Sequence, residues 1–168
     1  MIAGASGRGK TTTALALCLS AKFRFLCEDI SLIDFSRKII VNVIAPLSIR
    51  PKTKALLIEC GMSAVDLISD RWLACRPLFV EQDSSTPQPL SHLFVLASPG
   101  SDSVELRCQI LTAAEAVRYL LPISNLLVHA NGCEGMQALI GDAEVVAMHG
   151  GSLLQRLEFI VNSTGAGA

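Results

Sequence analysis

Apolar positions along this chain fall into short runs separated by polar breaks, and their spacing changes from run to run. The stretch "KTTTALALCLSAKF" (10–23) is rich in Ala and Leu, holds no Gly or Pro, and is apolar at Leu15, Leu17, Cys18 and Leu19, which predicts a helix. Only Met1, Ile2 and Ala3 precede Gly4, so the strand expected before that helix is either very short or truncated at its start, against a usual five or six residues. "DISLIDF" (29–35), "KIIVNVI" (38–44) and "KALLIEC" (54–60) are compact apolar runs that read as strands, the last two continuous enough to be covered on both faces. "SAVDLISDRWLAC" (63–75) returns to helical spacing, with Ser63 and Asp66 in capping-box positions. "RPLFVEQ" (76–82) fits either element, and the polar "EQDSSTPQP" (81–89), with two prolines, reads as a loop.

In the second half, "LSHLFVLAS" (90–98) predicts a strand and "SDSVELRCQILTAAEAVRYLL" (101–121) one long helix that Pro122 stops. "SNLLVHA" (124–130) reads as a strand closed by Asn131-Gly132, "EGMQALIG" (134–141) as a short helix, and "AEVVAMH" (143–149) as a strand. "GSLLQRLEFIV" (151–161) closes the chain as a helix, with a loose tail over 162–168. Strands alternating with helices predict βαβ units in a single α/β domain spanning 1–168. The expected architecture is three-layer and doubly wound, with a mostly parallel sheet of the P-loop NTPase type. Ligands bind beyond the carboxyl ends of strands in such sheets, so Asp34, Glu59, Ser98 and Asn131 are the strand-end residues to watch.

Composition narrows the class. Of 168 residues 51% are hydrophobic and 17% charged, too apolar for disorder and suited to a sheet covered on both faces. No apolar run is long enough to span a membrane, since "KIIVNVIAPL" is broken by Asn42 and Pro46, and the first residues lack a signal-peptide core. The formal net charge of −1, with both signs interspersed, gives no basic footprint for direct nucleic-acid binding. Six cysteines without C-x-x-C spacing read as reduced thiols packed in the core of a cytoplasmic protein, and the scattered His92, His129 and His149 need no metal.

The chemistry is concentrated at the start. Gly4-Ala-Ser-Gly-Arg-Gly-Lys-Thr11 fits G-x-x-x-x-G-K-[ST] without a mismatch. Gly4, Gly7 and Gly9 let the backbone turn tightly and bring its N–H groups, including those around Arg8 and Thr12, close to a phosphate. Lys10 supplies a compact cation for the β/γ-phosphates, and Thr11 a hydroxyl for Mg²⁺, which prefers oxygen ligands. The helix predicted from residue 10 places its N-terminus against the anion. The expected ligand is therefore a nucleotide with Mg²⁺, read as ATP because no guanine-selecting motif accompanies the loop.

With "LIDF", "LLIECGMS", "HLFVLASPGSDSVELRCQIL" and the run ending in Asn131, the chain resembles the ParA/MinD-like partition ATPases and their conjugation-associated relatives. The resemblance covers most of the chain as an order of elements, while only the P-loop is a specific motif. It implies a switch Asp at Asp34 beside the attacking water, a Walker B acid at Glu59 for the metal, and a base-contacting Asn at Asn131. Each of the three also reads structurally: Asp34 as a turn residue, Glu59 as a solvated strand end, Asn131-Gly132 as a turn dipeptide. The chain departs from the family's pattern at Ala5, where a signature lysine would reach across a dimer, at Asp34, which lacks a paired acid, and at Glu59, which replaces the usual Asp. Arg8 or Arg37 are candidate substitutes for that lysine.

Three functions compete. The resemblance implies a slow ATPase switch that hands a conformational change to a protein partner or homodimer. A small-molecule kinase would use Asp34 as base, yet "SDRWLACRPLF" makes a poor Arg-rich lid. A non-hydrolysing nucleotide-binding regulatory module tolerates all three departures. No L-S-G-G-Q stretch marks an ABC ATPase, and "VHANG" replaces the N-K-x-D of a GTPase.

Overall fold

Two largely apolar segments make the centre of the main sheet. The computed structural model describes residues 1–20, 23–24, 31–41, 51–59 and 89–166. Within these, β4 (His92–Leu96) and β6 (Glu144–His149) pair in parallel from His92↔Glu144 to Leu96↔Met148. β1 (Ile2–Ala3) adds in parallel to the other side of β4, and β5 (Arg107–Ile110) adds antiparallel to β6, giving the order β1-β4-β6-β5. The mostly parallel sheet expected of an α/β fold is present, and its first strand is as short as the sequence requires.

Side chains alternate across this sheet. Phe94, Leu96, Val146 and Met148 face one buried cluster with Leu15 and Leu17 of α1 (Lys10–Ser20), Leu57 of α2 (Pro51–Glu59), and Leu157 and Ile160 of α5 (Leu153–Thr164). Leu93, Val95, Val145 and Ala147 face a second cluster with Ala116 and Leu120 of α3 (Ala113–Leu120) and Met136, Leu139 and Ile140 of α4 (Gly132–Ile140). Helices thus cover both faces, and each large apolar side chain so buried contributes about 1.5–3 kcal/mol. Among the described residues, no helix is long and apolar enough to cross a membrane.

Four expectations need correction. Residues 51–59 are helix, not strand: Pro51 occupies the first helical position, where its missing N–H costs nothing, and only Leu57 of the apolar run is buried. The helix expected over 101–121 is split, because 107–110 pair with β6 and α3 starts after Thr112. Residues 124–130 hold a 3₁₀ turn, Leu126–Val128, which buries Leu126 and leaves Leu127 and Val128 exposed. The loose tail shrinks, since α5 runs to Thr164 and ends on Gly165 in a left-handed cap.

The apolar runs near 29–35 and 38–44 do contain strands, β2 (Leu32–Asp34) and β3 (Ile39–Val41). They pair antiparallel as a separate hairpin rather than entering the main sheet. The helix expected over 63–75 and the segment 76–82 lie outside the described residues, as does all but the last residue of the loop 81–89.

Candidate functional site: an electropositive cleft at the head of α1

The loop of residues 4–9 connects β1 directly to α1, and its conformation depends on glycine. Gly4, Gly7 and Gly9 have φ of 151°, 79° and 92°, values that side-chain-bearing residues resist. Within the loop, Arg8 N–H donates to the Ala5 carbonyl at 3.3 Å, and Lys10 Nζ folds back onto the same oxygen at 3.3 Å. The Gly9 carbonyl accepts from Thr13 N–H at 2.8 Å, so the turn passes straight into the helical ladder.

An open cleft of about 590 Å³ lies over this loop. Gly7, Arg8, Gly9, Lys10, Thr11 and Thr12 all line it. The rest of the lining comes from Lys52 and Thr53 of α2, from the segment Pro99, Gly100, Ser101 and Asp102 that follows β4, and from Ser152 and Arg156 at the start of α5, the last set against the loop itself. Thr12 Oγ1 and Thr53 Oγ1 lie 3.2 Å apart and join the first turns of α1 and α2. Among these lining residues the cations Arg8, Lys10, Lys52 and Arg156 outnumber the carboxylate of Asp102, so the cleft is electropositive and suits an anion.

Arg156 is the residue that sequence reasoning missed. It is 2% exposed, one of the few polar side chains in the core. Its guanidinium donates through Nε and Nη2 to the Gly150 carbonyl (2.9 and 2.7 Å), through Nη2 to Ser98 O (3.0 Å) and through Nη1 to Arg8 O (3.2 Å). Burial pushes its pKa below the usual range, with a smaller opposing influence from Cys108. The three carbonyls come from the ends of β4 and β6 and from the loop. No sequence motif announces this role: an arginine in "LLQRLEF" reads as the polar side of an amphipathic helix.

The other expected site residues sit elsewhere. Gly4 does not line the cleft and instead packs against Leu96. Asp34 Oδ1 accepts from Ser36 N–H (2.9 Å), Ser36 Oγ–H (2.5 Å) and Arg37 N–H (3.2 Å), while Oδ2 is 3.7 Å from Arg37 Nε. The Ser36 hydroxyl above all, then the backbone donors and the Arg37 charge, hold this carboxyl below its ordinary range. It closes the β2–β3 turn. Glu59 is the exposed last residue of α2, so no strand carries it to a metal. Asn131 precedes α4 as its N-cap and is exposed, with its carbonyl accepting from Gly135 N–H at 2.8 Å.

Thr11 and Asp102 are among the oxygen-bearing residues that line the cleft. Among the described residues no group of three or more His, Cys, Asp or Glu is placed to hold a metal by itself. The chain matches no family model, no curated protein and no solved structure.

Proposed function

We propose that the protein is a P-loop nucleotide-binding ATPase of the doubly wound type, which takes Mg²⁺-ATP in the cleft over residues 7–12 and acts as a slow switch for a partner. The observation that carries the reading is the loop itself. Three glycines at positive φ lead into α1, and Lys10 and Thr11 line an electropositive cleft at its head. The helix N-terminus and the loop amides would bind the phosphate chain, Lys10 would leave the Ala5 carbonyl for the β/γ-phosphates, and Thr11 with Asp102 would hold the metal. Mg²⁺ supplies charge neutralisation at the phosphates when bound. A cytoplasmic setting and a protein partner or second copy of the chain, as in ParA/MinD-like proteins, belong to the same proposal.

A second reading, a nucleotide-binding module that does not hydrolyse, has one observation in its favour. The Asp34 carboxylate is engaged in its own turn and does not line the cleft.

The test is thermal unfolding of wild type and Lys10→Ala with Mg²⁺-ATP, Mg²⁺-ADP and Mg²⁺-GTP, with phosphate release assayed in the same samples. Nucleotide at ~100 times its dissociation constant should stabilise wild type by about 2.7 kcal/mol and leave Lys10→Ala unmoved. Phosphate release then separates the ATPase from the module. No stabilisation by any of the three nucleotides would overturn both.

A further inference from the structure

A loop that binds anions through its N–H groups must turn its carbonyls the other way, because the C=O and N–H of one planar trans peptide point in opposite directions. Those carbonyls then need donors behind the loop. Lys10 and Arg8 N–H serve the Ala5 carbonyl from within the loop. The Arg8 carbonyl is served from outside it, by Nη1 of Arg156 at 3.2 Å. The Arg8 C=O and Gly9 N–H belong to one peptide, so a donor fixed on the first aims the second away from Arg156.

The guanidinium is itself held by the sheet. Its remaining bonds go to Ser98 O after β4 and to Gly150 O after β6, the two central strands. The space around it is closely matched. A β-carbon on Gly100 would stand 3.4 Å from both Cζ and Nη1 of Arg156 and 3.3 Å from the Gly151 carbonyl. One on Gly9 would stand 3.8 Å from Nη1. All four described bonds of this buried cation go to carbonyl dipoles, none to a carboxylate. Its charge therefore adds to the potential that an anion in the cleft would feel.

We propose that Arg156 is a positioning residue of the phosphate cleft: its guanidinium bridges the ends of β4 and β6 to the Arg8 carbonyl, and so holds the Gly9 N–H in the orientation that receives a phosphate oxygen. The inference rests on the nucleotide-binding reading above and adds to it a residue that the P-loop motif does not contain. Its role needs the planar fork as well as the charge, because one ammonium cannot span three carbonyls set around it as a guanidinium can.

The experiment measures Mg²⁺-ATP and Mg²⁺-tripolyphosphate affinity by titration calorimetry for wild type, Arg156→Lys, Arg156→Met and Gly100→Ala. The Gly9 amide resonance is followed through each titration, and melting temperatures are taken in parallel. Gly100→Ala keeps Arg156 and adds a methyl 3.4 Å from its guanidinium and 3.3 Å from the Gly151 carbonyl, so it tests the inference through the Gly9 shift if the Arg156 variants do not fold. The expected result is about a tenfold loss of affinity in Arg156→Lys, the worth of one charge-assisted bond, and a larger loss in Arg156→Met. Gly100→Ala should also weaken binding, and the Gly9 shift on titration should shrink in all three. A purely structural arginine would lower the melting temperature and leave affinity and the Gly9 shift of the folded protein at wild-type values. That outcome overturns the inference and leaves the nucleotide reading standing. Wild type that binds neither probe overturns the reading, and the inference with it.

Discussion

Gly4 stands against Leu96 with no room for a side chain between them. A β-carbon placed on Gly4 would lie 2.9 Å from the Leu96 carbonyl oxygen and 3.2 Å from its Cβ. The contact sets the exit of β1 beside the end of β4, and so fixes where the glycine loop begins. It also gives Gly4 a function apart from the cleft, which it does not line.

Gly4→Ala should therefore destabilise the fold itself. Backbone strain at φ 151° and the steric contact with Leu96 act together, for a loss of about 3 kcal/mol in urea unfolding. Gly7→Ala makes the control. Gly7 has a positive φ but nothing within 4 Å of its β-carbon position, so its cost should be the smaller of the two.

Two helices carry the same capping box in different chemistry. At α3, Thr112 N–H and Oγ–H donate to Glu115 Oε2 (2.8 and 2.7 Å), and at α5, Ser152 N–H donates to Gln155 Oε1 (2.9 Å). Ser152→Ala should cost about 1 kcal/mol at every pH from 3 to 8. The α3 box should titrate, because the Thr112 backbone and hydroxyl donors hold the Glu115 carboxyl below its ordinary range. A depressed folded pKa stabilises above the unfolded value, near 4.3, and that stabilisation disappears as pH falls through the lower folded value. The destabilisation by Glu115→Gln, measured against wild type by urea unfolding, should thus shrink below about pH 4.

Asp34→Asn should leave Mg²⁺-ATP affinity at the wild-type value, since the carboxylate serves the hairpin turn and not the cleft. Its effect should appear in faster amide exchange at Ser36 and Arg37. A large loss of affinity would place the residue in the binding site after all.

Cys108 is exposed, yet partial desolvation raises its thiol pKa more than the nearby Arg156 charge lowers it. Alkylation by iodoacetamide, followed peptide by peptide in mass spectra, should therefore be slower at Cys108 than at a free thiol at pH 8. The rate should climb as pH passes the ordinary thiol value of about 8.5. Cys18, buried in α1, should react only on unfolding.

Much of this was legible where pattern and chemistry agreed. The glycine loop, α1, β4, β6 and α5 each combine strong periodicity with a clear boundary, and each was expected within a few residues. "KALLIEC" was misread because a short apolar run has no periodicity to tell a helix from a covered strand. Pro51 at the first helical position was the overlooked signal. In "ELRCQILTAAEAV" no Gly or Pro interrupts a helical reading, yet backbone bonding to β6 turns Arg107–Ile110 into a strand. There the mark was local too, since Thr112-x-x-Glu115 announces a helix start in the middle of the supposed helix. Arg156 had no such mark, because its partners are backbone carbonyls, which every residue has. Only the meeting of two strand ends and a loop makes that position special.

The Arg8–Arg156 bond spans 148 residues. A ribosome adding about 5–20 residues each second needs roughly seven to thirty seconds to pass from one to the other. Throughout that interval the glycine loop is made, but the helix that fastens its outer carbonyl is not. If the cleft takes a nucleotide as proposed, that ligand would meet an unfinished receptor until Arg156 is made. Binding competence should thus emerge late and abruptly, with the emergence of α5, rather than accumulate as the sheet assembles.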